Sequence, residues 1–371
     1  MRIDTLTLRD FRNITQAQIK WHPEFNFLYG QNAQGKTNIL EALHLLSRLK
    51  SFRTTDRSEL VRQNAESAVI DGIIQQDDLQ WNARITLTPT SRQVALNGKK
   101  SKSQAEYASL LPLILFEPQD IYLFRNAPSD RRKALNQAVF LQNPVFLALF
   151  TEYETVVKQK NRLLKDRADP ELIAIWNDRL ITTGAKLTAA RLKLLGELAD
   201  SLAAEYEAIA KSGEQLIIRY HCAAIGGALE GVPAEAELAQ SLSEAIKRRY
   251  FDELERGESL VGPHRDDMTA FLDARSLGRF GSQGENRSAI IAFKLAQLKA
   301  YAQTHKRTPL FLLDDVASEL DEARCQHLFT YLAKESAQVF ITTTEKRLND
   351  AEFQGHSQAF LVRSGTIEPI V

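Results

Sequence analysis

Two short stretches near opposite ends of the chain carry residue types that could bind a nucleotide and a metal ion. Residues 30–37 read G-Q-N-A-Q-G-K-T, which fits the phosphate-binding pattern G-x-x-x-x-G-K-[ST]. Lys36 is expected to reach the β- and γ-phosphates, and the hydroxyl of Thr37 is expected to ligate Mg²⁺. Residues 310–315 read L-F-L-L-D-D, an apolar run that ends in two carboxylates.

The elements around the glycine-rich stretch favour a phosphate-binding loop. Before it, Phe25, Phe27 and Tyr29 alternate with the period of a strand. From Ile39 to Leu49, apolar residues recur every three or four positions, as on one face of a helix. The N–H groups and the dipole at a helix start favour a phosphate there. The alternative is a glycine turn that caps an ordinary helix.

The two carboxylates that end the apolar run have separate expected roles. A run as apolar as residues 310–313 is typical of a parallel strand buried on both faces. Ligands of open α/β sheets lie at the carboxyl ends of such strands. Asp314 is therefore expected to hold Mg²⁺, and Asp315 to orient the attacking water. Taken alone, the pair would more often be two solvated acids at a strand end.

The separation of the two stretches predicts how the chain is organised. Lys36 and Asp314 are 278 positions apart, since 314 − 36 = 278. A single nucleotide site then has to be assembled from both ends of the chain, with the middle inserted between two halves of one ATPase head. We predict an α/β protein in three segments. These are 1–125, the first half of lobe I with the phosphate-binding loop (Walker A); 126–299, a mainly helical lobe II; and 300–371, the second half of lobe I with the metal-binding strand (Walker B).

Composition restricts the class of protein. The chain has 371 residues, is 44% hydrophobic and 25% charged, and has a formal net charge of zero. These values are typical of a soluble globular protein with two or three domains. No stretch approaches the roughly 18 apolar residues of a membrane span, and the N-terminus does not resemble a signal peptide. Cys222 and Cys325 form no C-x-x-C pair, so neither a disulfide framework nor a zinc site is indicated. We expect a cytoplasmic protein with no membrane partner.

Charge is distributed unevenly along the chain. Residues 125–167 hold nine basic and four acidic side chains, whereas residues 228–261 hold four basic and eight acidic ones. Short basic clusters occur at 99–102, 131–133 and 247–249, and each by itself is more typical of a solvated face than of a DNA contact. If two copies placed such residues, including those at 131–133, on one face, the local field would attract DNA despite the zero net charge.

The remaining patterns predict a second sheet and a helical hairpin. Apolar residues alternate from 69 to 97, and Asn97-Gly98 is a hairpin-turn signal, which together predict an antiparallel sheet beside the nucleotide-binding sheet. From 129 to 211 the period is helical, with a polar turn at Asp169-Pro170 that predicts an antiparallel helix pair. These helices are too short for a long coiled-coil arm.

Two further loops leave alternatives open. Residues 261–267 read V-G-P-H-R-D-D, but a kinase-type H-R-D would need Asn where Phe271 stands. This stretch is either a loop with internally paired charges or a regulatory or nucleotide-proximal loop. Ser282-Gln283-Gly284 precedes a helical stretch, and it is either a polar loop with a helix cap or a second anion-binding site.

Several stretches besides the phosphate-binding loop carry a resemblance to a known family. They are L-R-D-F-R-N at 8–13, F-E-P-Q-D at 116–120, P-S-D-R-R at 128–132, G-P-H-R-D-D at 262–267, S-Q-G at 282–284 and L-L-D-D-V-A-S-E-L-D at 312–321. Taken together, they closely resemble the RecF family of bacterial recombination and repair proteins. The resemblance covers nearly the whole chain, and the set is far more specific than any one stretch.

The resemblance implies an ABC-type ATPase head without a long arm, related to the SMC-like proteins. Two such heads face each other with ATP and Mg²⁺ between them, and the signature around Ser282 of one copy meets the loop around Lys36 of the other. The residues that the resemblance and the loop pattern assign to the nucleotide are Arg12, Asn13, Gly30, Gln31, Asn32, Ala33, Gln34, Gly35, Lys36, Thr37, Asn38, Gln119, Ser282, Gln283, Gly284, Ser318 and Thr343. The implied catalytic residues are Lys36 and Asp315, and the implied metal ligands are Thr37 and Asp314.

The resemblance also implies a function. Members of the family are DNA-binding proteins of recombinational repair and replication restart, with slow, DNA-stimulated ATPase activity. They form ATP-dependent homodimers, bind gapped DNA at single-stranded/double-stranded junctions, and help to load recombinase together with RecO and RecR. ATP hydrolysis is implied to drive release from DNA.

Some residues depart from related ATPases or from the family. Asp315 stands where transporter ATPases usually carry Glu, and residues 341–344 read I-T-T-T without a transporter-style His; both again resemble RecF. Asn136 and Ala317 differ from the Asp and Phe typical of the family, which leaves local packing open. The alternatives are another ABC-type ATPase, such as a transporter subunit, and a DNA-binding scaffold that does not hydrolyse ATP.

Overall fold

The structure is a computed structural model, and it describes residues 1–100, 107, 109–229, 231–315, 320–344 and 355–370. The chain forms two compact units. Unit 1 consists of Met1–Asp120 and Tyr301–Val371, and unit 2 of Ile121–Ala300. Unit 1 is therefore built from both ends of the chain, while the middle forms unit 2. The division into lobes at 125 and 299 stays a prediction.

Unit 1 contains two sheets and two longer α-helices among its described residues. Its strands are β1 (Arg2–Phe11), β2 (Ile14–Lys20), β3 (Phe25–Tyr29), β4 (Ala68–Gln76), β5 (Leu79–Leu87), β6 (Arg92–Leu96), β7 (Lys99–Lys100), β8 (Leu113–Phe116), and, after unit 2, β13 (Leu310–Asp314), β14 (Val339–Thr343), β15 (Ser357–Arg363) and β16 (Thr366–Ile370). Its helices are α1 (Lys36–Arg48) and α8 (Glu322–Lys334), with 3₁₀ turns at Arg57–Leu60 and Pro118–Tyr122.

The mostly parallel sheet of unit 1 has the strand order β16-β15-β3-β14-β13-β8. All its neighbouring strands are parallel except the terminal hairpin of β15 and β16. Every residue of β3, β13 and β14 is buried, as expected for parallel strands covered on both faces. Thr342 pairs with Asp314, and Thr343 pairs with Tyr29, so the carboxyl ends of these three strands meet at one edge of the sheet.

The second sheet of unit 1 is antiparallel, with the order β2-β1-β4-β5-β6-β7. Its β6–β7 turn has positive φ at both Asn97 (49°) and Gly98 (75°), which is the type I′ geometry that matches strand twist. The sequence prediction of an adjoining antiparallel sheet is thus confirmed. The main hydrophobic core of the unit includes residues of α1 and of both sheets. Leu46 of α1 packs so closely on β4 that a Cβ at Gly72 would lie 2.7 Å from its Cδ1.

Unit 2 is mainly helical, with one small sheet. Its elements are α2 (Pro128–Gln142), α3 (Phe146–Lys165), α4 (Pro170–Ala210), β9 (Leu216–Cys222), β10 (Gly227–Leu229), α5 (Glu235–Arg256), β11 (Asp267–Leu272), β12 (Arg275–Ser276), α6 (Leu277–Phe280) and α7 (Gln283–His305), whose last turn belongs to unit 1. The four strands form a sheet in the order β10-β9-β11-β12.

The predicted helical hairpin is formed by α3 and α4, which pack together across a short connection. Asp169 caps the second helix by accepting the N–H of Glu171 at 2.8 Å, and Pro170 occupies its first turn. At 41 residues, α4 is about 60 Å long, but α3 has only 20 residues and pairs with part of it. The prediction of a short hairpin without a long coiled coil is confirmed for the described residues.

The stretch at 262–267 forms the centre of a buried polar network in unit 2. Asp266 is 1% exposed and accepts the hydroxyl of Tyr220 at 2.5 Å and the N–H of Ala223 at 2.7 Å. Buried Arg191 of α4 donates to the carbonyl of Pro263 at 2.8 Å and to Asn136 Oδ1 at 3.0 Å. The polar groups of this loop therefore have partners within unit 2, while a regulatory or nucleotide-proximal role stays a prediction. The same contacts show that Asn136, one of the departures from the family, has a buried partner.

Basic residues next to this network differ in their exposure. Arg131 is 8% exposed and binds Asp267 through two hydrogen bonds, of 2.8 and 2.6 Å. Arg132 donates to the carbonyl of Asp266 at 2.9 Å, whereas Lys133 is exposed. The expectation that Arg131 lies on a DNA-binding face is therefore wrong, because its guanidinium is buried against a carboxylate.

Among the described residues, none of the helices is both long enough and apolar enough to cross a membrane.

His264 should make the stability of the protein depend on pH. Burial lowers the pKa of His264 to about 4, from an ordinary value of 6.5, while its Nδ1 lies 2.6 Å from the Tyr153 hydroxyl. Between these values the unfolded chain binds more protons than the folded one, so stability is complete above pH 6.5 and falls towards pH 4. We expect a loss of about 2 kcal/mol from this group between pH 7 and pH 5, measured by urea unfolding.

The matched comparison uses two variants. His264→Gln should lack this share of the pH dependence. Tyr153→Phe should keep most of it, because burial of His264 is the largest cause of the pKa shift. An unchanged slope of stability against pH in His264→Gln would contradict the assignment.

Candidate nucleotide-binding site

The phosphate-binding loop connects the buried strand β3 to helix α1. Gly35 precedes the helix with a φ of 113°, a conformation that favours glycine, and its missing Cβ would lie 2.8 Å from Asn13 Oδ1. A Cβ at Gly30 would lie 2.4 Å from the carbonyl oxygen of Val362. The first N–H groups of α1 have no acceptor within the helix, as at any helix start, and they are suited to bind an anion.

Lys36 lies inside the loop that precedes it. Its Nζ donates to the carbonyl oxygens of Gly30 at 2.5 Å and of Gln31 at 3.0 Å. Burial lowers the pKa of this amine, while the nearby charges of Asp315 and Asp314 raise it. The amine therefore lies within electrostatic reach of both carboxylates.

A chain of hydrogen bonds joins the loop to the acidic strand end. Thr37 Oγ1 donates to Asp314 Oδ1 at 2.9 Å, across 277 positions of sequence. The same oxygen accepts the hydroxyl of Thr342 at 2.8 Å, and Thr342 in turn accepts the N–H of Asp315 at 2.8 Å. Burial raises the pKa of Asp314, and the hydrogen bonds from Thr342 and Thr37 oppose this shift. The predicted metal ligands Thr37 and Asp314 are thus in direct contact.

The predicted residues Arg12 and Asn13 form the turn between β1 and β2, beside the loop. Asn13 Nδ2 donates to the carbonyl of Gln34 at 3.1 Å, and Asn13 Oδ1 accepts Asn38 Nδ2 at 2.8 Å. Arg12 makes a two-pronged ion pair with Glu41, at 2.8 and 2.7 Å, and this carboxylate is fully buried in α1. Asn13 therefore fixes the loop backbone, while Arg12 is held by the carboxylate of Glu41 in α1.

The sequence did not identify three contributors to the site. Thr342 lies beside Asp314 because β13 and β14 are parallel and in register. Glu41 holds Arg12, and Arg53 donates to Asn38 Oδ1 at 2.7 Å while its charge opposes the rise that burial causes in the pKa of Asp314. The run of threonines at 342–344 was a usable signal for Thr342, whereas nothing in the sequence pointed to Glu41.

Of three other predicted residues, two have described positions in unit 1 and the third lies outside the described residues. Gln119 lies on the 3₁₀ turn Pro118–Tyr122, where its Nε2 donates to Glu117 at 2.6 Å. Thr343 is buried at the end of β14, opposite Tyr29. Ser318 lies outside the described residues. The nucleotide contacts of these three residues stay predictions.

Ser282, Gln283 and Gly284 belong to unit 2, at the start of α7. The N–H of Ser282 donates to Glu285 Oε2 at 2.6 Å, and the N–H of Glu285 donates back to Ser282 Oγ at 3.2 Å. This is a capping box, in which both partners satisfy backbone donors at a helix start. Hydrogen bonds from Arg275 lower the pKa of Glu285 to about 2, so the box is held in its charged form. In this capping box the Ser282 hydroxyl acts as an acceptor, so the box does not use its O–H as a donor.

The arrangement in unit 1 has a definite chemical capacity. The helix start and Lys36 provide donors and positive charge for phosphate oxygens. Thr37 and Asp314 provide two adjacent oxygen ligands, which suit a hard cation such as Mg²⁺. Among the described residues, no group of three or more His, Cys, Asp or Glu side chains forms a metal site by itself, so such a cation would need phosphate oxygens or water as further ligands.

Replacing Thr342 with Val should disturb the carboxylate pair without adding bulk. The change removes the donor to Asp314 Oδ1 and the acceptor for the Asp315 N–H, both in a buried region. We expect a loss of roughly 1–3 kcal/mol in the free energy of unfolding, because buried polar groups lose their partners. Urea denaturation measures it, with Thr344→Val as the control, since Thr344 is exposed. Equal stability of the two variants would contradict the role given to Thr342.

Comparison with known proteins covers almost the entire chain. The family described as "RecF/RecN/SMC N terminal domain" matches residues 2–367. The DNA replication and repair protein RecF of Geotalea uraniireducens is 33% identical over 367 residues, which cover 99% of this chain and 100% of that protein. The protein of the same name from Syntrophotalea carbinolica is 35% identical over 372 residues, with 99% of each chain covered.

Solved structures agree with these relatives. A structure described as the recombination mediator protein RecF-ATP in the RecFOR pathway is 28% identical, with a TM-score of 0.89, and the match covers 100% of this chain and 97% of that one. An Smc head bound to the C-terminal winged-helix domain of ScpA is 14% identical, with a TM-score of 0.57 and coverage of 100% and 97%. This second likeness concerns the fold alone.

Proposed function

This chain belongs to the RecF family, and we propose that it is an ATP-dependent DNA-binding protein of recombinational repair and replication restart. The observation that carries the proposal is the hydrogen bond between Thr37 and Asp314. It joins the two halves of a P-loop ATPase site across 277 positions of sequence. The relatives' printed names, DNA replication and repair protein and recombination mediator protein, support the cellular role.

We propose that ATP is the ligand of the phosphate-binding loop. The N–H groups of residues 30–38 and the Nζ of Lys36 would receive the phosphates. Mg²⁺ would be held by Thr37 and Asp314, and when bound it neutralises charge on the β- and γ-phosphates. The buried Glu41 keeps Arg12 beside the loop, and Asn13 keeps the loop backbone in place.

Asp315 is proposed to orient the attacking water. Its N–H is fixed by Thr342, and its φ is 49°, in the left-handed region that Asp and Asn adopt more readily than most residues. A Glu at this position, as in transporter ATPases, would be less suited to that backbone. The shorter carboxylate of Asp315 supports the proposal of a slow ATPase, which DNA is proposed to stimulate.

Two copies of the chain are proposed to close around ATP. The Ser282 region of one copy would face the phosphate-binding loop of its partner, and Gln283, Gly284 and Ser318 would complete the site. The capping box fixes the Ser282 backbone at a helix start, where the helix dipole favours an anion such as the γ-phosphate. Gln119 and Thr343 are proposed as further nucleotide contacts from within unit 1.

DNA at gaps, with single-stranded and double-stranded segments, is the proposed target of the closed dimer. RecO and RecR are the proposed partners, because a structural relative is described as acting in the RecFOR pathway. ATP hydrolysis would open the dimer and release the DNA. With Arg131 buried, the DNA-binding face has to use other basic residues, which include the exposed Lys133.

A Ser282→Arg variant should separate ATP binding from dimer formation. The added bulk and charge would block the approach of the partner's γ-phosphate region, while the phosphate-binding loop of unit 1 is unchanged. We expect ATP affinity of the monomer to stay within about twofold and ATP-driven dimerisation to be lost, as measured by light scattering. Ser212→Arg, at an exposed position of unit 2, is the control. Dimerisation of Ser282→Arg with ATP would refute the assignment of Ser282.

Asp315→Asn should trap the closed, DNA-bound dimer. Asn preserves the shape and tolerates the positive φ, but it lacks the charge that orients water, so the chemical step should slow by about 10²-fold or more. DNA affinity of the wild type and of the variant is measured with and without ATP over a salt series. We expect ATP-dependent binding that weakens steeply with salt, and slower DNA release by Asp315→Asn.

The control for this experiment is Lys36→Ala, which should lose ATP binding and with it ATP-dependent DNA binding. Equal DNA affinity with and without ATP would show that the nucleotide does not gate DNA binding. ATP-dependent DNA binding with no turnover by the wild type would instead favour a scaffold that does not hydrolyse ATP.

A further inference from the structure

One carbonyl of the phosphate-binding loop is held by two hairpin turns from opposite ends of the chain. The carbonyl oxygen of Gln34 accepts the N–H of Gly365 at 2.9 Å and the Nδ2 of Asn13 at 3.1 Å. The side chain of Gln34 reaches the same C-terminal turn, because its Oε1 accepts the N–H of Ser364 at 2.7 Å. Both the backbone and the side chain of Gln34 are therefore bound to the turn at 364–365.

The turn at 364–365 packs closely against the backbone of the β1–β2 turn. A Cβ at Gly365 would lie 2.3 Å from the carbonyl oxygen of Asn13, and the φ of Gly365 is 81°. Val362 lies in β15, the strand that leads into this turn, and its carbonyl oxygen would lie 2.4 Å from a Cβ at Gly30. The hairpin is anchored by β15, which runs parallel to β3 and leads towards the loop beside it. The contact is thus close at both ends of the loop.

The bonds to Gln34 fix the orientation of one peptide group. In a trans peptide, the carbonyl of Gln34 and the N–H of Gly35 point in opposite directions. Because Asn13 and Gly365 hold the carbonyl on their side, the N–H of Gly35 is directed away from them. If the Gln34–Gly35 peptide group were flipped, the carbonyl oxygen of Gln34 would point where the N–H of Gly35 now points. An acceptor would then replace a donor in a loop that is proposed to bind an anion.

We propose that the turn Ser364–Gly365, the C-terminal clasp, positions the phosphate-binding loop and so determines its affinity for nucleotide phosphates. The clasp acts through Gln34, and its residues are positioning residues that need not touch the ligand. This inference rests on the proposed function, since it takes the loop to be the ATP site. The ligand groups concerned are the α- and β-phosphates, which such a loop cradles with its N–H groups.

A second hairpin in the same unit provides a matched control. The β6–β7 turn has φ values of 49° at Asn97 and 75° at Gly98, and the clasp has 47° at Ser364 and 81° at Gly365. A Cβ at Gly98 would meet nothing within 4 Å. Gly98→Ala and Gly365→Ala therefore strain the same kind of turn to a similar degree, but only the second forces the turn away from Asn13 and Gln34.

The experiment measures the dissociation constants of ATP and of ADP by calorimetry, together with the thermal midpoint, for the full chain. Both alanine variants should lower the midpoint through backbone strain, and Gly365→Ala should lower it further, because only its Cβ meets a neighbouring backbone oxygen. Only Gly365→Ala should weaken nucleotide binding, by roughly tenfold, because the loop loses its preorganisation. The loss should be equal for ATP and ADP, since the affected contacts are with phosphates that both nucleotides carry.

Gly365→Asn and Gly98→Asn form a second pair, in case Gly365→Ala folds poorly. Asn tolerates positive φ, so the strain is smaller, but its Cβ would meet Asn13 in the same way. Gly365→Asn should again bind both nucleotides more weakly than Gly98→Asn. Wild-type affinity in a folded Gly365 variant would overturn the clasp while leaving the proposed function intact. Failure of the wild type to bind either nucleotide would overturn both.

Discussion

The structure of the candidate site depends on the parallel pairing of three buried strands. β3, β13 and β14 come from positions near 25, 310 and 340, and their register places Tyr29, Asp314 and Thr343 at one edge. All fifteen of their residues, five in each strand, are buried, so the pairing is supported by burial on both faces. Without that register, the hydroxyl of Thr37 would have no reason to meet the carboxylate of Asp314.

Sequence patterns predicted those parts of the site whose chemistry requires a fixed spacing. The loop at 30–37 and the carboxylates at 314–315 are such parts, and the hairpin at Asn97-Gly98 was readable because only certain residues adopt positive φ. Thr342 and Ser364 were not predicted, since their contacts depend on strand register and on how two hairpins meet. Arg131 was misjudged for a related reason, because a positive charge in a sequence does not reveal the buried carboxylate that it binds.

In unit 2, buried charged groups join helices, a strand and a loop. Asp266, Arg191 and Tyr220 are almost fully buried, and they join the long helix α4 to a strand and to the loop at 262–267. The ion pair between Lys160 and Glu253, at 2.7 Å and with no exposed surface, similarly joins α3 to α5. Breaking one partner of such a pair leaves an uncompensated buried charge, so these groups specify one arrangement of the helices. The loop at 262–267, which contains H-R-D, is thus part of the buried polar network that holds unit 2 together.

The assembly of unit 1 from both chain ends has a consequence for synthesis on the ribosome. Strand β3 emerges early, but its sheet neighbours β14 and β15 begin only at Val339 and Ser357. Domains generally fold as units as the chain emerges, and unpaired apolar strands are prone to aggregate. All of unit 2 is synthesised before β14 and β15. During that interval β3 lacks both of its sheet neighbours and would be exposed to chaperones. A chain that ended before Val339 would lack β14 and β15, so β3 would have neither of its neighbours in the sheet.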